Sequence, residues 1–462
     1  MAIKLFFCQL TTTIKKFILE EKYYKGAIKV TSLLHPASVD WEVTPFCNHN
    51  CIHCYNCWRT DEDRVEDIKF NKSVDERWYL KIAEIIADNK PVSVIITGGE
   101  PLSVFWKIDK AIEHLIKNGI YVTMNTNLTL LDDKMALRIK ELGLHIFTSI
   151  PSANPKNCDK ITGVNGSFTN IKNGILKCLS YNIPLATNMV VTKININDIE
   201  ETASFIKNIG MDYFCCTKAA FPANAQPSLH ENILTQQEFS SVFTQLMDIG
   251  SKQKLRVDSA WAYSLCGLSD KQIAVFGFKR RCGAGRFNFA ITYTGDIKAC
   301  NVDTAIYGNI LKDSMNHAME KMVAWQTNAY LPEECKDCKS LYLCSGGCRL
   351  EAENTFGKKS HLDSTANTAN IERTVLPPGI IEFDDDKKYH LTQKCILVEE
   401  NGFYRISQKS FYEFITEECK KFFDCYENFD LRDFTKELSL TPEIARLEFS
   451  EFIDKGFFVQ TR

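Results

Sequence analysis

The chain has 462 residues, 45% of them hydrophobic, and its 55 Lys and Arg against 58 Asp and Glu leave a net charge of -3. That length holds about three domains of roughly 150 residues each, and the near balance of charge excludes the strongly basic surface of a nucleic-acid binder. The longest apolar runs, such as Val94-Ile95-Ile96, fall far short of the roughly 18 residues that cross a bilayer, so no membrane association is expected.

Residues 1–38 read as an N-terminal extension. Met1 to Gln9 has no small-residue cleavage site and Lys15-Lys16 follow, so a cytoplasmic protein is expected. From 39 to 260, β-branched runs alternate with amphipathic stretches, the pattern of parallel βα units. The expected strands are Trp41 to Thr44, Val92 to Thr97, Tyr121 to Met124, His145 to Ser149, Pro184 to Val191 and Tyr213 to Thr217. Ser73 with Glu76 predicts a capping box before a helix bearing Val74, Trp78, Ile82 and Ile86 on one face, and Ser167 is expected to cap a helix with Phe168, Ile171, Ile175 and Leu179. Six units predict an α/β fold, an open, partial (β/α)6 barrel, because two further strands are not legible. Ligands in such folds bind at the carboxyl ends of the strands.

Residues 261–353 are rich in Cys and Gly and too irregular to form a core without metal. Residues 354–379, polar from Asn354 to Asn370 and ending in Leu376-Pro377-Pro378-Gly379, read as a linker. In 380–462, Cys395 to Val398 and Phe403 to Ile406 flank Glu400-Asn401-Gly402, a hairpin signal. A helix with a stripe of Phe411, Ile415, Cys419, Phe422 and Tyr426 is expected next, then one from Pro442 to Gly456 and a closing Phe457-Phe458-Val459. The sum is a small α+β, winged-helix-like module.

The 19 cysteines are the outlier in a chain too large to need disulfide staples. Cys47, Cys51 and Cys54 follow the first expected strand, in the run Cys47-Asn-His-Asn-Cys51-Ile-His-Cys54-Tyr55. Three thiolates can hold three irons of a cubane cluster and leave the fourth open to a ligand; they equally suit zinc with His49 or His53 as fourth ligand. The next strand ends in Gly98-Gly99-Glu100-Pro101, where glycines permit close backbone approach and a carboxylate can receive an ammonium group. Cys178 and Cys419 lie on helical stripes and Cys8, Cys158, Cys215, Cys216 and Cys425 lack ligand spacing, so buried core thiols are expected there. None of the nine His is assigned to catalysis, and no catalytic residue is named.

In this order, the two motifs resemble the radical S-adenosylmethionine (SAM) superfamily. The resemblance implies a [4Fe-4S] cluster on Cys47, Cys51 and Cys54 whose open iron chelates SAM, and a 5'-deoxyadenosyl radical that abstracts hydrogen. It also implies Tyr55 near the adenine, Gly98, Gly99, Glu100 and Pro101 along the SAM amino group, and Ser149, Asn188 and Asn127 as strand-end contacts to ribose or carboxylate. Cys282, then Gly295-x4-Cys300, then Cys335-x2-Cys338-x5-Cys344-x3-Cys348, is similar to the SPASM domain of peptide and protein maturases. That similarity implies one or two auxiliary [4Fe-4S] clusters: one on Cys282, Cys300 and Cys348 with Cys266 as fourth ligand, a second on Cys335, Cys338 and Cys344. The Cys that the pattern expects soon after Cys348 is missing. Cys395 looping back, a ligand such as Asp363, or an open iron are the alternatives.

The C-terminal module resembles the precursor-recognition element of ribosomal peptide pathways, which captures a leader peptide by strand addition. The function implied is side-chain crosslinking of a ribosomally made precursor peptide, through a C–C or thioether bond, with a reductant such as flavodoxin or ferredoxin as partner. The alternatives are an anaerobic sulfatase maturase that forms formylglycine and a non-catalytic zinc scaffold.

Overall fold

The computed structural model describes residues 35–461 apart from 56–60, 224, 226, 278–281, 339, 371–382, 401–402, 410, 416 and 441. Most of the N-terminal extension, Cys8, Cys57, the Leu376–Gly379 stretch and the Asn401-Gly402 turn therefore lie outside the described residues. A ten-stranded sheet runs in the order β10-β9-β8-β1-β2-β3-β4-β5-β6-β7. The six strands expected from sequence appear as β1 (Ser38–Glu42), β2 (Ser93–Thr97), β3 (Tyr121–Thr126), β4 (His145–Ser149), β5 (Leu185–Val191) and β6 (Tyr213–Lys218), all parallel.

Two further parallel strands extend the sheet at its two ends. β7 (Arg256–Ser259) pairs with β6, and β8 (Asn288–Ile291) pairs with β1. β7 escaped the sequence reading because only Ser259 of its four residues is buried, and β8 because it sits inside the Cys-rich stretch. Antiparallel β9 (Asp296–Lys298) and β10 (Gly308–Asn309) complete the sheet.

The period of two sorts each strand. Val39 and Trp41 of β1 are fully buried in the apolar core with Tyr79, Ile82 and Ile86 of the helix Glu76–Asp88, while Asp40 and Glu42 alternate with them on the opposite face. That helix starts differently from the expectation. Asp75 caps it by accepting from Arg77 N and Trp78 N, since Ser73 already ends the helix Asp61–Ser73. Likewise Gly166, at φ +77°, precedes the helix Ser167–Ser180, and Ser167 instead donates to Asp159 (2.9 Å).

The Cys-rich region lies at the carboxyl ends of the strands. Lys218, at the end of β6, pairs with Glu351 of the helix Arg349–Phe356, both side chains almost fully buried, and Lys298 bonds Glu42 at 3.2 Å. The stretch Asn354–Asn370, expected to be linker, is packed into this region: Asp363 and Thr365 are buried, and Asn354 donates to the Phe221 carbonyl at 2.8 Å.

In the C-terminal module, β12 (Ile396–Glu400), β13 (Phe403–Gln408) and β14 (Phe411–Ile415) form an antiparallel sheet with β13 central. Helices Glu417–Cys425, Leu431–Glu437 and Pro442–Asp454 follow, and β15 (Phe458–Gln460) pairs with β11 (Tyr389–Leu391). Phe411 and Ile415 thus belong to a strand, not to the expected helical stripe, because only Cys419 and Phe422 of that stripe fall within the helix. Phe422, Phe429, Phe434, Phe449, Phe452 and Phe458 form the module's own aromatic core. Buried Arg405 of β13 donates to the carbonyls of Pro36 (2.8 Å) and Lys90 (2.5 Å), which precede β1 and β2. The module therefore docks on the amino ends of the barrel strands, opposite the Cys-rich region.

Candidate functional site

Cys47, Cys51 and Cys54 lie on the loop after β1, and main chain holds that loop. Asn50 N and Ile52 N donate to the carbonyls of Thr162 (2.9 Å) and Ile161 (3.0 Å). Gly99 N donates to Thr44 O and Glu100 N to Phe46 O, both at 2.7 Å. The glycines serve this contact. A Cβ on Gly98, at φ +126°, would stand 2.4 Å from Thr44 O, and one on Gly99 would stand 2.1 Å from Phe46 O. The space expected for a ligand's approach is filled here by the backbone that leads into the cysteines.

Glu100 is 1% exposed. Its Oε1 accepts from Leu102 N (2.9 Å) and Thr126 Oγ1 (2.6 Å), and its Oε2 from Asn127 N (2.8 Å), which leaves acceptor capacity at Oε2. Burial pushes its carboxyl up, and those three donors oppose the shift. The Asn127 side chain is committed to the loop, with Nδ2 on Asn48 Oδ1 (2.9 Å) and Oδ1 accepting from Thr129. The Tyr55 hydroxyl meets Thr97 Oγ1 at 2.7 Å. Ser149 and Asn188 are register partners on β4 and β5, and Asn188 Oδ1 accepts from Thr217 Oγ1 at 2.6 Å. Pro101 opens the turn after Glu100 and is buried.

The sequence reading missed Asp40 and Glu42. Burial, then the neighbouring Glu42 charge, pushes half-buried Asp40 up to about 7, against the hydrogen bond from Asn301 Nδ2 (2.9 Å). Acids alternating with Val39 and Trp41 on a buried strand were the available signal.

The remaining thiols form two groups. Cys300 lies within electrostatic reach of Cys282 and Cys348. Cys266, expected to join that group, lines a cavity with Cys335, Cys338 and Cys344 instead, because the turn Leu265–Gly267 is held beside Cys344. Cys395 joins neither group: it packs against the C-terminal aromatic core, with Gln408 Oε1 4.0 Å from its sulfur, on a module docked at the other end of the barrel. Cys158, Cys178, Cys215, Cys216 and Cys419 are buried as expected, whereas Cys425 is exposed because it closes its helix.

The donor chemistry fits a multi-iron cluster at Cys47, Cys51 and Cys54. Burial raises the Cys51 thiol well above its ordinary value, and Cys47 and Cys54 raise it further; burial and Glu100 push Cys47 up to about 12. Thiolates that repel one another at this range are stabilised by bound cations. His49 N points at Cys47 Sγ (3.4 Å), a hydrogen bond of the kind that tunes cluster sulfur. Among the described residues, no three His, Cys, Asp or Glu side chains are placed to hold a single metal ion.

Residues 41–206 match the family described as the Radical SAM superfamily. Fe-coproporphyrin III synthase of Methanosarcina barkeri is 24% identical over 229 residues, 48% of this chain and 55% of that protein. AdoMet-dependent heme synthase of Nitratidesulfovibrio vulgaris is 24% identical over 335 residues, 69% of this chain and 89% of that protein. The cyclopropyl synthase TigE of Paramaledivibacter caminithermalis is 22% identical over 339 residues, 69% of each chain. The chain spans about half the length of the Methanosarcina barkeri relatives it matches. Among solved structures, anSMEcpe with bound AdoMet aligns at a TM-score of 0.56 and 16% identity over 72% of this chain and 95% of that one. Streptococcus suis SuiB bound to precursor peptide SuiA aligns at 0.56 and 16% identity over 77% and 79%. These likenesses establish the fold. No described helix is long and apolar enough to cross a membrane. The chain carries a radical SAM domain, which implies a [4Fe-4S] cluster and S-adenosyl-L-methionine as its cofactors.

Proposed function

We propose that the chain is a radical SAM maturase that modifies a ribosomally made precursor peptide by hydrogen abstraction, with a side-chain crosslink as the product. The observation that carries this reading is the joining, on one chain, of a radical SAM domain to a β-β-β-α-α-α module. Among the described residues, the outer edges of β12 and β14 pair with no other strand, and exposed Ile396, Leu397 and Phe411 lie along them. Such an edge takes up an extended peptide through main-chain hydrogen bonds. The likeness to TigE and to SuiB bound to SuiA supports the same reading.

Cys47, Cys51 and Cys54 would hold the cluster. When bound, the cluster and SAM supply a 5'-deoxyadenosyl radical that takes a hydrogen atom from an unactivated C–H bond. Glu100, fixed by Thr126 and Asn127, offers its remaining Oε2 lone pair to the SAM ammonium, and Tyr55, Ser149 and Asn188 line the adjoining strand ends. A reductant such as flavodoxin or ferredoxin supplies electrons.

Two measurements test this. Changing Cys47, Cys51 and Cys54 to Ala abolishes SAM cleavage and leaves auxiliary iron in place; surviving cleavage rejects the site. Mass spectrometry of the peptide encoded beside the gene, incubated anaerobically with reconstituted enzyme, shows loss of two hydrogens. A second reading, a tetrapyrrole substrate, is favoured by the long overlap with AdoMet-dependent heme synthase. Conversion of an iron tetrapyrrole with the peptide unchanged selects it.

A further inference from the structure

We propose that Cys266, Cys335, Cys338 and Cys344 together ligate one auxiliary [4Fe-4S] cluster, so that the thiol completing this set comes from the turn after β7 and not from the segment after Cys348. The proposal rests on the iron-sulfur reading above.

The four thiols line one cavity, which Ser264, Leu265, Ser340 and Leu341 also border. The turn carrying Cys266 is fixed from three sides. Ser264 N donates to Thr365 Oγ1 (2.8 Å), Asn370 Nδ2 to the Cys266 carbonyl (3.1 Å) and Gln236 Nε2 to the Gly267 carbonyl (2.6 Å). Gly267 passes so close to the Thr365 carbonyl that a Cβ would stand 1.8 Å from it. Leu265 N, one residue before Cys266, points at Cys344 Sγ at 3.4 Å and ties the turn to the other three cysteines. Repulsion from Cys344, Cys338 and Cys266 adds to burial in raising Cys335.

The two other candidates for the fourth ligand are engaged elsewhere. Asp363 is 3% exposed, its Oδ1 accepts from Ser264 Oγ (2.9 Å), Thr365 N (2.9 Å) and Thr365 Oγ1 (2.6 Å), and its Oδ2 from Cys348 N (2.8 Å). Its hydrogen bonds tie Ser264, Thr365 and the Cys348 backbone together, and it does not line the cavity that the four thiols share. Cys395 belongs to the module docked on the opposite end of the barrel. The segment after Cys348 therefore supplies the hydrogen bonds that place Cys266, and Cys266 supplies the sulfur.

The test is iron and sulfide content per chain with electron paramagnetic resonance of anaerobically reconstituted full-length protein. Cys266→Ala is expected to lose one cluster or reduce it to a three-iron form with that form's oxidised-state signal, while SAM binding and circular dichroism stay as in the parent. Cys266→Ser, which keeps a polar ligand of similar size, is expected to retain the cluster with an altered spectrum, which separates a lost ligand from a lost fold. In a Cys300→Ala background the loss adds to that of the other auxiliary cluster. Parent-like iron and spectra in Cys266→Ala, or a double variant that loses no more than Cys300→Ala alone, overturn the proposal. A parent that binds no iron beyond that of Cys47, Cys51 and Cys54 overturns the reading on which it rests.

Discussion

The loop bearing Cys47, Cys51 and Cys54 and the region bearing Cys266 to Cys348 both gather thiols, yet they hold them by different means. Backbone-to-backbone hydrogen bonds fix the first, from Gly99 and Glu100 to Thr44 and Phe46 and from Asn50 and Ile52 to Thr162 and Ile161. In the second, side chains do much of the holding, above all Asp363, Thr365 and Arg349, whose guanidinium reaches the carbonyls of Lys359 (3.0 Å) and His361 (2.7 Å). Among the described residues, Leu331, Cys335 and Leu341, with Cys338 and Leu362 packed against them, form a small apolar cluster around its outer thiols. A site built from strand ends inherits the rigidity of the sheet, whereas one built from buried polar side chains depends on every partner being present.

The largest break in this comparison comes from Gly99→Ala. Its methyl group cannot coexist with the Phe46 carbonyl, so the first loop shifts at a cost of about 3 kcal/mol or more. The expected result is loss of SAM binding by calorimetry with auxiliary iron kept; unchanged SAM affinity would contradict the role given to that contact. Asp363→Ala does the converse. It leaves the donors of Ser264, Thr365 and Cys348 unpaired in a buried site, a cost of about 3 kcal/mol. Hydrogen exchange should quicken at 264–267 and 344–348 while the first loop keeps its protection, and uniform protection would show that side chains matter less here than argued.

The smallest effect lies outside both thiol sites and calibrates them. Glu448 is buried with Oε1 unpartnered, and burial, followed by the charge of Glu451, pushes its carboxyl up to about 8 from 4.5. The folded module keeps a proton that the unfolded chain releases, so stability is greatest below about 4.5 and falls as pH rises through about 8. Glu448→Gln should therefore stabilise the helix Pro442–Asp454 by about 1–3 kcal/mol at high pH and change nothing below pH ~4. Exchange rates in that helix at the two pH values check this, and an equal gain at both would exclude titration as the cause.

Sequence exposed the parts of this molecule that repeat or cluster locally. Six parallel strands were legible from alternating apolar runs, and the first thiol trio from spacing within one loop. What escaped depends on contacts between distant segments. Cys266 lies 69 residues before Cys335, and nothing in spacing says that Thr365 and Asn370 hold its turn against Cys344. The glycines before Glu100 announced a close approach but not its partner, which proved to be the protein's own chain. Phe411 and Ile415 kept a helical interval by chance, and pairing with β13 decided in favour of a strand.

Arg405 has a consequence for reach. It fastens the C-terminal sheet beneath the barrel, beside the segments that enter β1 and β2, while Cys47 to Cys54 lie where β1 leaves. Strands of five to seven residues separate the two ends, a depth of about 16–23 Å at roughly 3.3 Å per residue. On the proposed reading, a peptide gripped on the lower sheet would need at least about five to seven extended residues before its reactive side chain arrived at the upper mouth. The barrel would then act as a ruler, with the position modified set by counting along the peptide from its anchored segment.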